Sequence, residues 1–277
     1  MARQWHLIND SPPPGHSGAY NMGVDEALLR AVARGDWPPT LRLYAWSPPC
    51  LSLGQGQGLA EVDSERLAAL GWGLVRRPSG GRAILHTDEL TYSVALPGDH
   101  PLVAGDVVES YRRISAALLR ALRQLGAQPE AERAETRGVH QGAVCFERPS
   151  HYEITVGGRK LIGSAQVRRK EHGGGVLQHG TLPLYGDIAR ICEALVYADE
   201  AERAQARQQV RARAATLYDA LGEVVSWEQA AAAVREAFRA TFEIEWVETR
   251  LDGALAAQAA RLEREVYGSA AWTGKRR

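Results

Sequence analysis

Arg76-Arg77-Pro78-Ser79-Gly80-Gly81-Arg82-Ala83-Ile84-Leu85-His86 follows one apolar run, Gly73-Leu74-Val75, and ends in another, Ala83-Ile84-Leu85. The flanks read as strand ends and Pro-Ser-Gly-Gly as the turn between them. Paired glycines reach positive φ and let a ligand approach the backbone, with amide N–H groups free to point at it. Three arginines exceed what a plain hairpin needs, and guanidinium forks suit phosphate and carboxylate groups. The stretch therefore reads either as a hairpin with solvated arginines or as the wall of a pocket for anionic or thioester-linked groups.

Working outward towards the N-terminus, Thr40 to Trp46 alternates and reads as a strand stopped by Ser47-Pro48-Pro49. Asn21 is the expected N-cap of a helix over 22–32, whose Val24, Leu28 and Ala31 recur at helical spacing. Trp5 to Ile8 reads as a short strand, Gly54-Gln55-Gly56-Gln57-Gly58 as a flexible loop, and Asp63 as the cap of a short helix ending at Leu70. Towards the C-terminus, Glu89 to Leu96 is a strand and 106–125 a long amphipathic helix ended by Gly126. Pro129 to Gln141 reads as a loop. Tyr152–Val156 and Lys160–Gln166 form a hairpin about Gly157-Gly158, and Val176 to Leu184 is the next strand. Helices are expected over 199–215, 227–239 and 251–267, with a strand at 243–247. The pattern defines an α+β protein built on a mixed sheet, 1–277 forming one domain whose 187–277 part is a mostly helical C-terminal extension.

Lys and Arg number 33 and Asp and Glu 33, a formal net charge of +0, so bulk attraction to nucleic acid or membrane is not expected. The apolar runs are far shorter than a membrane span, and 1–5 lacks a signal-peptide core, which makes the cytoplasm the expected address. Cys50, Cys145 and Cys192 form no CxxC pair, so neither structural zinc nor a disulfide framework is expected.

A cysteine on a loop beside basic residues is a nucleophile candidate, because cations lower the thiol pKa, and Cys145 in 142–150 has that setting. Cys50 and Cys192 read as structural. Lys160 leaves a glycine turn and enters an apolar strand, which would hold its ammonium either at a pocket wall or out in solvent. His86, His140, His151 and His179 are possible bases, though no pair has metal-ligand spacing, and His179 reads foremost as a satisfied strand histidine. Neither GxxxxGK[ST] nor a GxGxxG opening a helix is present.

Asn21-Met22-Gly23-Val24-Asp25-Glu26-Ala27-Leu28-Leu29, Leu51-Ser52-Leu53-Gly54, the Arg76–His86 stretch, Arg159-Lys160-Leu161-Ile162-Gly163-Ser164-Ala165-Gln166 and Gln178-His179-Gly180-Thr181-Leu182 occur in this order. Together they resemble the biotin/lipoate protein ligase superfamily, which includes lipoate–protein ligases and octanoyltransferases. Glu89-Leu90-Thr91-Tyr92-Ser93 and Cys145-Phe146-Glu147-Arg148-Pro149-Ser150 are similar to its Gram-positive-type octanoyltransferase branch. His86-Thr87-Asp88 departs from the family's direct His-Asp.

The resemblance implies an acyltransferase that moves octanoyl from acyl carrier protein to a lysine of a lipoyl domain, the glycine-cleavage H protein being the foremost acceptor. Cys145 and Lys160 would be catalytic. Arg76, Arg77, Ser79, Gly80, Gly81, Arg82, His86, Gly163, Ser164, Ala165 and His179 would bind substrate, the arginines helping to dock the carrier. No cofactor is expected in this reading. The alternative on the same fold, an ATP-dependent lipoate ligase, would need ATP and Mg²⁺. An amidotransferase between lipoyl domains, and a non-enzymatic lipoyl-domain binder, are two further readings.

Overall fold

In the computed structural model, residues 3–10, 15–132, 153–171 and 174–275 are described. Cys145, His140 and His151 lie outside them, as does most of the loop expected over 129–141, although Glu130–Glu132 is a short strand.

The strands are β1 (Arg3–Asn9), β2 (Thr40–Tyr44), β3 (Cys50–Leu53), β4 (Gly73–Arg76), β5 (Ile84–His86), β6 (Glu89–Pro97), β7 (Glu130–Glu132), β8 (Glu153–Val156), β9 (Arg159–Arg169), β10 (Gly175–Pro183) and β11 (Ile244–Glu248). Eight form one mixed sheet in the order β11-β1-β2-β6-β10-β9-β8-β7, with β1 parallel to both β11 and β2 and the remaining pairs antiparallel. The helices are α1 (Gly18–Ala33), α2 (Ser64–Ala69), α3 (Val107–Gln124), α4 (Glu200–Arg213), α5 (Leu217–Leu221), α6 (Trp227–Phe242), α7 (Gly253–Leu262) and α8 (Ala270–Thr273). A π-helical turn, Glu263–Tyr267, prolongs α7.

One apolar cluster joins the main sheet to α3 and α6, through Leu41, Leu43, Leu90 and Tyr92 on one side and Ile114, Leu118, Val234 and Phe238 on the other. A second joins α1 to α7 through Leu28, Val32, Leu255 and Leu262. The C-terminal segment is thus woven into both cores and supplies the edge strand β11.

Helix α1 begins earlier than expected. Ser17 is the cap, its Oγ accepting from Tyr20 N at 3.1 Å, so Asn21 falls inside the helix and is fully buried. Both residues suit a cap. Asn21 is held instead by tertiary bonds, its Nδ2 donating to Ala45 O at 3.1 Å and its Oδ1 accepting from Arg42 Nη2 at 2.7 Å.

The opening stretch is not a hairpin. β4 and β5 do not pair with each other; each pairs with β3, which lies between them, β4 parallel and β5 antiparallel. The Pro78-Ser79-Gly80-Gly81 segment therefore arches over the end of β3. Apolar residues of this three-stranded sheet meet α4 and the 3₁₀ segment Ile188–Ala194 in a third cluster that includes Leu51, Leu85, Cys192 and Val210.

Candidate active site

Between the two sheets lies a cavity of about 390 Å³, lined by the apolar side chains of Met22, Tyr44, Trp46 and Ile84 together with the Gly80–Arg82 turn, Lys160 and Gly163–Ala165. Strand register explains which residues meet there. Arg42, Ser93, His179 and Ala165 form one row across β2, β6, β10 and β9. Tyr44, Thr91, Thr181 and Gly163 form the next. Side chains two apart on a strand share a face, so both rows point to the same side of the sheet.

Behind the wall, Asp25 of α1 is fully buried and accepts four hydrogen bonds. Its Oδ1 accepts from Arg42 Nη1 at 3.0 Å and Ser93 Oγ at 2.8 Å, and its Oδ2 from Tyr44 Oη at 2.9 Å and His179 Nδ1 at 3.4 Å. Burial pushes this carboxyl up, but the His179 hydrogen bond and the Arg42 charge outweigh it and hold it below its ordinary value. Burial and the Asp25 charge drive the Tyr44 hydroxyl well above the phenolic range, so it stays a donor. A carboxylate only accepts, so Nδ1 of His179 carries the proton. In the neutral ring Nε2 then accepts from Ser79 Oγ, 2.6 Å away. One polar chain thus runs from α1 to the glycine turn.

The turn is clamped from beneath. Arg77 donates to Ser52 O at 3.1 Å, to Gly80 O at 2.9 Å and to Arg82 O at 2.7 Å. Arg76 reaches the other way, donating to Gly54 O at 2.8 Å, Gln57 O at 2.7 Å and, at the end of α8, Thr273 O at 2.7 Å. The three arginines expected to meet anions are thus placed differently. Arg76 and Arg77 are buried and bind backbone carbonyls, while Arg82, partly exposed, lines the cavity beside Glu61 at 3.4 Å. Gly54 is what lets the turn settle, since a Cβ there would stand 1.9 Å from Gly81 O.

His86 lines the same cavity. It stacks on Trp46 with ring centroids 3.9 Å apart, meets Ser52 Oγ at 2.8 Å through Nε2, and faces Glu89 Oε1 at 2.7 Å through Nδ1. Lys160 is 4% exposed, which a lysine tolerates only when paired; its Nζ donates to Glu153 Oε1 at 2.7 Å. Its carbonyl accepts from Ala215 N at 2.9 Å, so the segment after α4 braces the strand at this residue.

Of the substrate-binding candidates, Arg77, Gly80, Gly81, Arg82, His86, Gly163, Ser164, Ala165 and His179 line the cavity, as does Lys160, while Arg76 and Ser79 stand behind the wall. Residues not anticipated from the sequence are Tyr44, Trp46, Ser52 and Asp25. Asp25 and Ser52 fall inside the ordered motifs, but without a role assigned to either. Among the described residues, no group of three or more His, Cys, Asp or Glu side chains is placed to hold a metal ion, and no helix is long and apolar enough to cross a membrane.

An apolar cavity between a mixed sheet and a glycine turn, with one buried lysine on its wall, is an arrangement for holding an acyl group. The lipoyl protein ligase A/B catalytic domain model matches residues 17–239, and the chain belongs to that family; it is an acyltransferase. Among its relatives, octanoyltransferase LipM of Kyrpidia tusciae is 45% identical over 240 residues, 84% of this chain and 85% of the relative. Octanoyltransferase LipM of Moorella thermoacetica is 42% identical over 281 residues, 99% of each chain. A solved chain from an archaeal lipoylation system, a bipartite lipoate protein ligase and its E2 lipoyl domain from Thermoplasma acidophilum, superposes with a TM-score of 0.79 at 25% identity, covering 100% of this chain and 98% of that one. A lipoate-protein ligase A bound with ATP, 24% identical with a TM-score of 0.76 over 99% of each chain, shares the fold.

Proposed function

We propose that the protein is an octanoyltransferase of lipoate biosynthesis. It takes octanoyl from acyl carrier protein and delivers it to a lysine of a lipoyl domain, foremost the glycine-cleavage H protein, through a thioester on Cys145 and without ATP. The observation that carries this reading is Lys160, an ammonium buried at the wall of a cavity that the glycine turn also lines. A fixed positive charge in a water-poor site stabilises the oxygen that becomes negative when an acyl carbonyl is attacked. The names of the two bacterial relatives support the octanoyl group.

In this mechanism the Cys145 thiolate attacks the octanoyl carbonyl carbon, the bond to the carrier's sulfur breaks, and the carrier leaves as a thiol after taking up a proton. The amine of the lipoyl-domain lysine then attacks the acyl-enzyme; the Cys145 carbon–sulfur bond breaks, an amide forms, and the amine gives up a proton. Met22, Trp46 and Ile84 offer apolar surface to the chain, where each buried methylene contributes about 0.8 kcal/mol. That gives a chain-length preference without sharp discrimination. Gly80 and Gly81 let the substrate pass close to backbone.

The test is transfer from octanoyl-acyl carrier protein to a lipoyl domain without nucleotide. Cys145→Ala should abolish it, while Cys50→Ala and Cys192→Ala leave it largely intact. Full activity in Cys145→Ala would overturn the assignment. Transfer only when ATP, Mg²⁺ and free octanoate or lipoate are supplied would make the protein a ligase.

A further inference from the structure

Lys160 reaches the cavity through an irregularity in its own hairpin. In a regular strand, residues 160 and 163 face opposite sides of the sheet. Here the β8–β9 register is Val156 with Arg159 and Thr155 with Lys160, but Ile154 with Ile162, so β9 carries one extra residue against β8. Such a bulge re-aims the side chains beside it. Lys160 and Gly163 consequently share a face: a Cβ built on Gly163 would lie 3.5 Å from Lys160 Cε and 4.0 Å from Nζ. Glu153, the first residue of β8, lies two positions before Thr155, the partner of Lys160, and so shares that face as well. Its Oε1 accepts from Nζ at 2.7 Å, with the two side chains 14% and 4% exposed.

We propose that Glu153 is the positioning residue for Lys160, fixing its ammonium over Gly163 and keeping it charged inside the cavity. This inference rests on the reading of Lys160 as the charged group of the transfer site. An ammonium has three N–H donors, and a buried one without a counter-charge loses its proton readily. Glu153 takes one donor and supplies the counter-charge from the strand side. Arg77, Arg82, His86 and His179 line the same cavity, Arg159 and Asp219 flank the hairpin, and Tyr44 and Tyr92 have hydroxyls held above the usual phenolic range, chiefly by burial. Arginine stays charged throughout, whereas imidazoles and carboxylic acids as classes titrate on the acid side. The alkaline limb of the rate profile therefore reports the lysine.

The experiment measures the pH dependence of octanoyl transfer in the full chain carrying Glu153→Gln, Glu153→Asp or Lys160→Ala, with melting temperatures taken in parallel. Removing the carboxylate withdraws stabilisation from the ammonium. Glu153→Gln should lower kcat about 10- to 100-fold, and move the alkaline limb down by about one to three pH units. Glu153→Asp keeps the charge but retracts it by one methylene, so kcat should fall while the alkaline limb stays in place. That comparison stands even where Glu153→Gln folds poorly. A Glu153→Gln enzyme with the wild-type limb, or a Glu153→Asp enzyme with the wild-type kcat, alongside an inactive Lys160→Ala, would overturn the role of Glu153 and leave that of Lys160 standing. A fully active Lys160→Ala enzyme would overturn both.

Discussion

Asp25 has no exposure and four hydrogen-bond donors around its carboxylate, Arg42 and His179 among them. Removing one member of a buried charge pair leaves the other uncompensated, so Asp25→Asn should destabilise the fold by about 3–5 kcal/mol in denaturant titration. The sign with pH follows from its depressed folded-state value. The carboxylate's contribution is complete above the unfolded value near about 3.9, and is lost as pH falls from there through the lower folded value. Asp25→Asn should flatten that acid limb of stability. Cys50 offers a second check at this scale, because burial foremost, with Glu89, pushes its thiol up to about 12. Native alkylation near pH 8 should therefore spare Cys50 and the equally buried Cys192, and mark Cys145 first; rapid native labelling of Cys50 would contradict this. Much of the cavity wall was legible at the residue level because glycines, lysine and histidine occur in an ordered set of motifs. Tyr44 and Trp46 were not, since a strand residue's alternation says which ones share a face but not which neighbour that face meets.

At the scale of elements, the Gly80–Gly81 turn depends on Gly54, where a Cβ would collide with Gly81 O at 1.9 Å. Backbone cannot swing aside as a flexible side chain would. Gly54→Ala should therefore displace the turn and lower kcat/KM about 100-fold or more, measured in the transfer assay beside a thermal melt. The strands flanking this turn were recognisable from their apolar runs, but their pairing was not. β3 is four residues between Pro48-Pro49 and a glycine loop, too short to announce itself, and it lies between β4 and β5. The bulge that turns Lys160 inward has no sequence signature either, since register is set by both strands together. Helix α3, by contrast, starts where its sequence says it should, with Asp106 and Glu109 forming a reciprocal capping box.

Across the whole molecule, the C-terminal third is structural support for the site. β11 pairs with β1, α7 covers α1, Thr273 at the end of α8 accepts from Arg76, and Ala215 braces Lys160. Truncation after Thr249 would remove Leu255, Leu262 and Tyr267 and expose the apolar face of α1 that they cover. Large apolar side chains contribute about 1.5–3 kcal/mol each on burial, and a domain's total stability is about 5–15 kcal/mol. The truncated chain should therefore be soluble poorly or melt far below the full chain, which differential scanning would register. The helical character of this third was readable from its richness in Ala, Arg, Glu and Gln; its long-range contacts were not. The central claim, acyl transfer through Cys145 without nucleotide, is tested most directly by intact-protein mass after mixing the enzyme with octanoyl-acyl carrier protein alone. The account predicts an octanoyl increment that hydroxylamine removes and that Cys145→Ala does not form. An unmodified wild-type enzyme that acylates a lipoyl domain only once ATP is added would contradict it.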